Sequence, residues 1–304
     1  MSWHTEVAEI VGKENVIREF PLKRLCTIKV GGKADALVWI DDLNGLKRVT
    51  RFLKENEVPY FVIGNGSNIL PVDTGFKGAI LKLRGEFLRL DFRRNTIRVG
   101  SALKLNALLR ECIRSGRGGL EFLSGIPGSV GGAIRMNAGG KSGEICERIN
   151  RLTMFSLHED RIIELQRQEI RYEYRNIGIP KGYIFLEAEL LVENSPSDSI
   201  KRKIRDVYIK KKVTQPLNLP SSGCIFKNPV GYSAGRLIEQ AGLKGMRRGD
   251  AMISTLHGNF ILNLGNASSS DILYLIDLCR AEVKKRFNIQ LNLEIEILDQ
   301  RAKW

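Results

Sequence analysis

The chain has 304 residues, 43% of them hydrophobic and 27% charged, and 48 Lys and Arg against 34 Asp and Glu give a formal net charge of +14. That length predicts two or three domains with ample core, and the composition excludes a disordered chain. No apolar run approaches a membrane span, and the opening MSWHTEVAEIVGKE has neither the basic flank nor the apolar centre of a signal peptide, so a cytoplasmic protein without membrane insertion is expected. Cys26, Cys112, Cys146, Cys224 and Cys279 are scattered without a CxxC pair and are expected as free thiols. With only His4, His158 and His257, and no HExxH or paired Cys/His spacing, no metal site is expected. The charge admits a nucleic-acid binder, a membrane-surface protein or an enzyme with phosphate-bearing ligands. The basic residues are spread along the chain without interleaved aromatics or helix-turn-helix spacing, which argues against nucleic acid.

In chain order, residues 2 to 15 read as a short helix with Trp3, Val7, Ile10 and Val11 on one side. Cys26 to Ile40 alternates and is β-branched, predicting strands broken at Gly31 and Gly32. Asp41 or Asp42 then caps a helix that buries Leu43, Leu46, Val49, Phe52 and Leu53. The strand PYFVIG from Pro59 runs straight into Gly64, Asn65, Gly66, Ser67 and Asn68, a tight turn whose N–H groups could bind a pyrophosphate. It is no dinucleotide fingerprint, because Ile69 stands where a third glycine belongs. Short strands GAILKLR, EFLRLDF and NTIRVG follow, then a helix over about Leu103 to Ser115.

The stretch Gly125 to Gly143, GIPGSVGGAIRMNAGGKSG, holds seven glycines and one proline in nineteen residues. It is expected to be neither regular helix nor strand. Glycines let successive N–H groups converge on an anion or a flat ring. A mobile linker would be polar, whereas Ile126, Val130, Ala133, Ile134, Met136 and Ala138 are threaded through this run, so a packed ligand loop is the better reading.

Downstream, RLTMFSL, RIIEL and YIFLEAELLV read as strands. A helix over Ser199 to Lys212 turns Ile200, Ile204 and Val207 inward and Lys201, Arg202, Lys203, Arg205, Lys210, Lys211 and Lys212 outward, until Pro216 stops it. Lys212, nearest the following loop, is the candidate for a ligand phosphate. The last third carries PSSGCIFKNP, a helix SAGRLIEQAG, strands near AMIS and FILNLG, and a helix from Ser270 to Phe287. The alternating QLNLEIEIL then sets Glu294 and Glu296 on one face.

Together, TIKVGGKAD, IGNGSN, GLEFLSGIPGSVGGAIRMNAGG, YEYRN, SSGCIFKNP and LEIEIL resemble, in order and across most of the chain, the UDP-N-acetylenolpyruvoylglucosamine reductases of bacterial cell-wall synthesis. The resemblance implies an α+β fold: two FAD-binding subdomains, 1–82 and 83–200, then a separate substrate-binding domain, 201–304. It implies non-covalent FAD, with Gly64, Asn65, Gly66, Ser67 and Asn68 at the pyrophosphate and Ile126, Pro127, Gly128, Ser129, Val130, Ala138 and Gly139 along the flavin. NADPH would reduce the flavin and leave, and the enolpyruvyl double bond of the UDP-sugar would then receive hydride.

By the same resemblance, Arg175 of YEYRN would stabilise the enolate-like intermediate. A planar guanidinium fork suits a carboxylate. Glu294 would assist, a choice over Glu296 that periodicity alone does not make. The proton donor, commonly a serine in this family, falls on Cys224, and a thiol is a far stronger acid than a hydroxyl. Thiol alkylation should therefore inactivate, with substrate protecting. Asn228 matches a nucleotide-sugar contact, and Lys212, Lys227 and Arg236 are candidate phosphate partners. Ile177 stands two residues after Arg175 where a serine is usual, and Lys141 replaces an aromatic residue in NAGGKSG. The chain also resembles the compact subclass that lacks a tyrosine-bearing loop. An alcohol or sugar oxidase of the same flavin fold is the second reading and a nucleic-acid-binding protein the third. No histidine lies between His4 and His158, which excludes a histidyl-linked flavin in the glycine-rich region.

Overall fold

A computed structural model describes residues 2–140 and 142–302. Lys141, and with it the expected departure at that position, lies outside the described residues.

Three mixed layers succeed one another. In the first, strands Val16–Pro21, Lys33–Ile40, Phe76–Leu83 and Tyr60–Val62 form a sheet in that order, antiparallel at the first pair and parallel thereafter. Helices α1 (Trp3–Val11) and α2 (Leu43–Glu55) cover one face, burying Val7, Leu46, Val49 and Leu53 against Val38, Ile40 and Leu81. Asp42 starts α2 by accepting the Gly45 N–H at 2.7 Å, which settles the choice between Asp41 and Asp42.

The second layer is an antiparallel sheet in the order Arg161–Gln166, Ile149–Ser156, Tyr183–Leu191, Thr96–Gly100, Leu90–Phe92. Helices α3 (Leu105–Arg114), α4 (Val130–Arg135) and α5 (Ser197–Thr214) flank it. The expected boundary at residue 200 falls inside α5, which packs on α3 and on the turn Glu121–Leu123 of this layer. In the third, strands Ser221–Cys224, Phe260–Asn263, Ala251–Ile253 and Arg247–Arg248 pair antiparallel beside α6 (Ala234–Gln240) and α7 (Ser269–Phe287).

The first and third layers share one core. Leu22, Ile28, Leu37, Phe61 and Ile80 pack with Phe226, Leu237, Ile253, Leu275 and Ile276. Strand Glu296–Leu298 pairs parallel with Ile69–Pro71, so the end of the chain returns to the turn that carries GNGSN.

Four local expectations change. The glycine stretch does contain a helix, α4, because Ser129 caps it and burial of Val130, Ala133 and Ile134 offsets the weak propensity of Gly131 and Gly132. Gly131 earns its place by contact, since a Cβ there would lie 2.9 Å from that of Ser101. Residues 26–32 form turns rather than strand, with the Thr27 N–H donating to Gly66 O. The EFL of EFLRLDF is a 3-10 turn, Gly85–Leu88. Of QLNLEIEIL only Glu296–Leu298 is strand. The preceding residues satisfy their backbone through the single bridge Phe226 to Leu293 and through Glu294 N to Ile225 O at 2.8 Å.

The third layer is also tied to the first by a borrowed cap. The Asp73 carboxylate accepts the N–H groups of Ser269 (2.8 Å) and Ser270 (3.0 Å) at the start of α7. Burial alone would raise the Asp73 pKa, but these hydrogen bonds outweigh it and hold the carboxyl below its usual value. Asp73→Ala is expected to cost about 1 kcal/mol, the usual worth of a cap. Denaturant unfolding at pH 7 checks this, and an unchanged midpoint would remove the cap from the account.

Candidate active site

Two glycine turns meet at the junction of the first two layers. After strand Tyr60–Val62 the chain reverses at Gly66 (φ +62°), where a Cβ would sit 2.1 Å from the Leu25 carbonyl oxygen, so only glycine fits. A Cβ on Gly64 would lie 2.5 Å from Ser129 Oγ, and the Asn65 side-chain amide donates to Pro127 O, which locks the two turns together. Among the described residues, the N–H groups of residues 64–68 and of Gly128 and Ser129 donate to no other part of the chain. Clustered free amides of this kind are what a diphosphate requires. Beneath the turn the Lys82 ammonium donates to Gly64 O, and burial lowers its pKa to about 8. Asn65, Ile126, Pro127 and Gly128 line a cavity of about 610 Å³ that opens between α3 and α5.

Arg175 stands at the far side of this junction in a left-handed backbone conformation (φ +57°) that side chains seldom adopt. Its guanidinium is fixed on three sides: Nε donates to Glu294 Oε1 at 2.9 Å, Nη1 to Asn137 O at 3.3 Å and Nη2 to Gly139 O at 3.2 Å. Both partners of the ion pair are nearly buried, with side-chain exposures of 16% and 13%. Gly139 must be glycine for this, because a Cβ would lie 2.2 Å from Gly143 O. Burial raises the Glu294 carboxyl pKa, and the Arg175 charge opposes the rise. Asn68 donates to the Glu294 carbonyl at 2.9 Å, joining the pyrophosphate turn to the C-terminal segment.

Cys224 ends strand Ser221–Cys224, and the pairing of residues 225–227 with 292–294 sets it next to Glu294. Burial pushes the thiol up to about 12, with the negative charge of Glu294 adding to the rise. The group therefore keeps its proton at neutral pH. That revises the expectation about alkylation: the thiolate is scarce, so alkylating agents should react slowly. Ile177 is buried in the core of the second layer, an apolar role at the position where a serine was expected.

Sequence reasoning missed three side chains here. Tyr174 stacks under the Arg175 guanidinium at 5.1 Å, and its phenol reaches the Asn228 backbone. Asn137, fully buried with φ +41°, supplies one of the Arg175 carbonyls. Lys211, expected to point outward, turns in and donates to Phe122 O (3.1 Å) and Ser124 O (2.6 Å). The signal was present, since Lys211 lies four residues after Val207 and seven after Ile204, on the inward face of α5. Lys212 and Arg236 are exposed; Lys227 is half-buried and its charge reaches Glu294. The Asn228 side-chain oxygen accepts the Ala234 N–H at 3.0 Å, holding the turn into α6. Val130 is buried in the second core, and Ala138 packs against that core.

Residues 34–165 match the FAD binding domain family, and residues 215–298 match the family described as UDP-N-acetylenolpyruvoylglucosamine reductase, C-terminal domain. The UDP-N-acetylenolpyruvoylglucosamine reductase of Clostridium novyi (strain NT) is 38% identical over 299 residues, covering 98% of this chain and 97% of its own. UDP-N-acetylenolpyruvoylglucosamine reductase 2 of Symbiobacterium thermophilum is 40% identical, covering 92% and 91%. The crystal structure of the Thermus caldophilus enzyme superimposes with a TM-score of 0.80 at 39% identity, over 93% of this chain and 98% of that one. The free amides of the paired glycine turns fit an FAD diphosphate, no helix among the described residues is long and apolar enough to cross a membrane, and the chain belongs to the UDP-N-acetylenolpyruvoylglucosamine reductase family, the FAD-dependent oxidoreductases of peptidoglycan precursor synthesis.

Proposed function

We propose that this protein reduces the enolpyruvyl ether of UDP-N-acetylglucosamine to the lactyl ether of UDP-N-acetylmuramate, with NADPH as the source of reducing equivalents. The observation that carries the reading is the half-buried constellation of Arg175, Glu294 and Cys224 beside two glycine turns with free amides. Residues 64–68 hold the FAD diphosphate, and Ile126 to Val130 with Ala138 and Gly139 line the ring. When bound, FAD would supply the hydride-transfer chemistry between NADPH and the substrate alkene. Residues 1–82 and the second layer through the end of α5 serve the cofactor, and the residues after α5 cover the substrate.

The chain's own part is electrostatic and acid chemistry. Hydride addition leaves negative charge spread into the substrate carboxylate, and Arg175 offers the two N–H groups that its three protein contacts leave over. Glu294 fixes the guanidinium plane by accepting from Nε and through it helps polarise the same intermediate. The Cys224 Sγ proton then goes to the adjacent carbon. Lys212, Lys227 and Arg236 serve the nucleotide-sugar phosphates, and Asn228 contacts the nucleotide-sugar. The three cations and the basic balance of the chain suit three ligands that each carry a diphosphate.

The reading is tested by anaerobic addition of NADPH to the yellow holoprotein, followed by the enolpyruvyl UDP-sugar. Bleaching on the first addition and return of colour on the second are expected; a reduced protein that stays bleached with the sugar would overturn the substrate assignment. Cys224→Ser is expected to stay active, and Cys224→Ala to lose roughly 10²- to 10⁴-fold in the colour-return step, the usual weight of a positioned acid. An alanine variant recovering at the wild-type rate would take Cys224 out of the mechanism.

A further inference from the structure

The inward-turned Lys211 is not accounted for by the roles above. An ammonium has three N–H donors, and the carbonyls of Phe122 and Ser124 take two. Its stem closes over Gly125, where a Cβ would meet Lys211 Cδ at 3.3 Å. Among the described residues, each ion pair of α5 belongs to another side chain: Lys201 with Asp198 and Lys203 with Glu121. Lys211 and Arg175 are held on adjoining segments: Phe122 O, which accepts from Lys211, belongs to the turn Glu121–Leu123, and that turn packs on the strand Gly139–Gly140, whose Gly139 O accepts from Arg175. Burial, and after it the Arg175 charge, lowers the ammonium to about 8.

Two cations thus share one patch of the site, partly withdrawn from water, and the carboxylate there, Glu294, is bonded to Arg175. An unpaired buried charge is costly, and a site so arranged is completed by an anion. The third Lys211 donor and the two free Arg175 donors are the groups left to receive it.

We infer that Lys211 is a specificity-determining residue that, with Arg175, forms a two-cation socket for the carboxylate of the enolpyruvyl substituent. The inference rests on the substrate proposed above and adds the group that distinguishes the enolpyruvyl sugar from the same UDP-sugar without it. The socket ties α5, the flavin-side turn 122–125 and the catalytic arginine into one anion-reading unit.

The test is binding to the oxidised holoenzyme, followed by perturbation of the flavin absorbance, with two probes: the enolpyruvyl UDP-sugar and UDP-N-acetylglucosamine, which lacks the carboxylate. Lys211→Met is expected to raise Kd for the first by roughly 10- to 100-fold, the worth of a charged hydrogen bond. For the second, Kd should stay within about threefold, as should the rate of bleaching by NADPH. Lys211→Arg, which keeps the charge, should restore most of the difference. Equal weakening of both probes would make Lys211 a prop for the turn and overturn the inference, as would no weakening of either.

Should Lys211→Met lose its flavin, the wild type carries the test through pH. An ammonium near 8 is charged at pH 7 and neutral at pH 9.5, while the neighbouring Cys224 and Tyr174 are both pushed up, above that window. Lys82 also lies near 8, but it sits under the cofactor turn that is common to both probes, so it cancels in the ratio of the two affinities. The preference for the enolpyruvyl probe should then fall between those two pH values; a constant preference overturns the socket. Failure of the wild type to be reoxidised by the enolpyruvyl sugar would instead sink the proposed function, so the two outcomes are separable.

Discussion

The structure turns on one ion pair. Arg175 and Glu294 lie far apart in sequence, one after the loop that follows strand Arg161–Gln166, the other on the last stretch of the chain. A buried pair of this kind adds little net stability, because desolvation offsets much of the attraction. It does fix geometry. Arg175 is held in a backbone conformation that costs about 1 kcal/mol or more, and three acceptors from two segments, 137–139 and Glu294, determine where its guanidinium lies. Removing Glu294 would leave a cation facing two carbonyls and free to swing.

The glycines do for the backbone what the ion pair does for the side chains. Gly66 brings the pyrophosphate turn against Leu25, Gly64 brings it against Ser129, and Gly139 lets the chain at 139 lie on residues 143 and 144. Each contact is too close for a Cβ. The amides they release are therefore presented by a packed surface rather than by a mobile loop, and no ordering entropy need be spent when an anion arrives. Asn68 and Asn65 then hitch this surface to Glu294 and to Pro127, so cofactor turn and catalytic segment move as one body.

Most elements were legible because their periodicity is set by burial. Helices α2, α3 and α7 and the strands of the second layer bury the residues that their spacing selects. The errors arose where a distant partner overrides local pattern. QLNLEIEIL alternates perfectly, yet its first half has too few strand neighbours to be a strand, since residues 225–227 offer one bridge and Ile69–Pro71 pairs only with the last three. The helix α4 is hidden because glycine propensity argues against it, while the burial of Val130, Ala133 and Ile134 and the close approach of Gly131 to Ser101, which argue for it, depend on distant partners. At the site, resemblance supplied Arg175 and Glu294, and the geometry brings them together. The inward turn of Lys211 is the departure in α5: the basic face was expected outward as a whole, whereas the helical period sets Lys211 in line with Ile204 and Val207.

The central claim is that Arg175 and Glu294 act as a unit on the charge that develops in the substrate. A double-mutant cycle on the colour-return step, with Arg175→Met, Glu294→Gln and the pair, measures this directly. The account predicts that the double variant is no slower than the slower single variant, because either change alone already dismantles the unit. Losses that simply multiply would show two independent groups and contradict it.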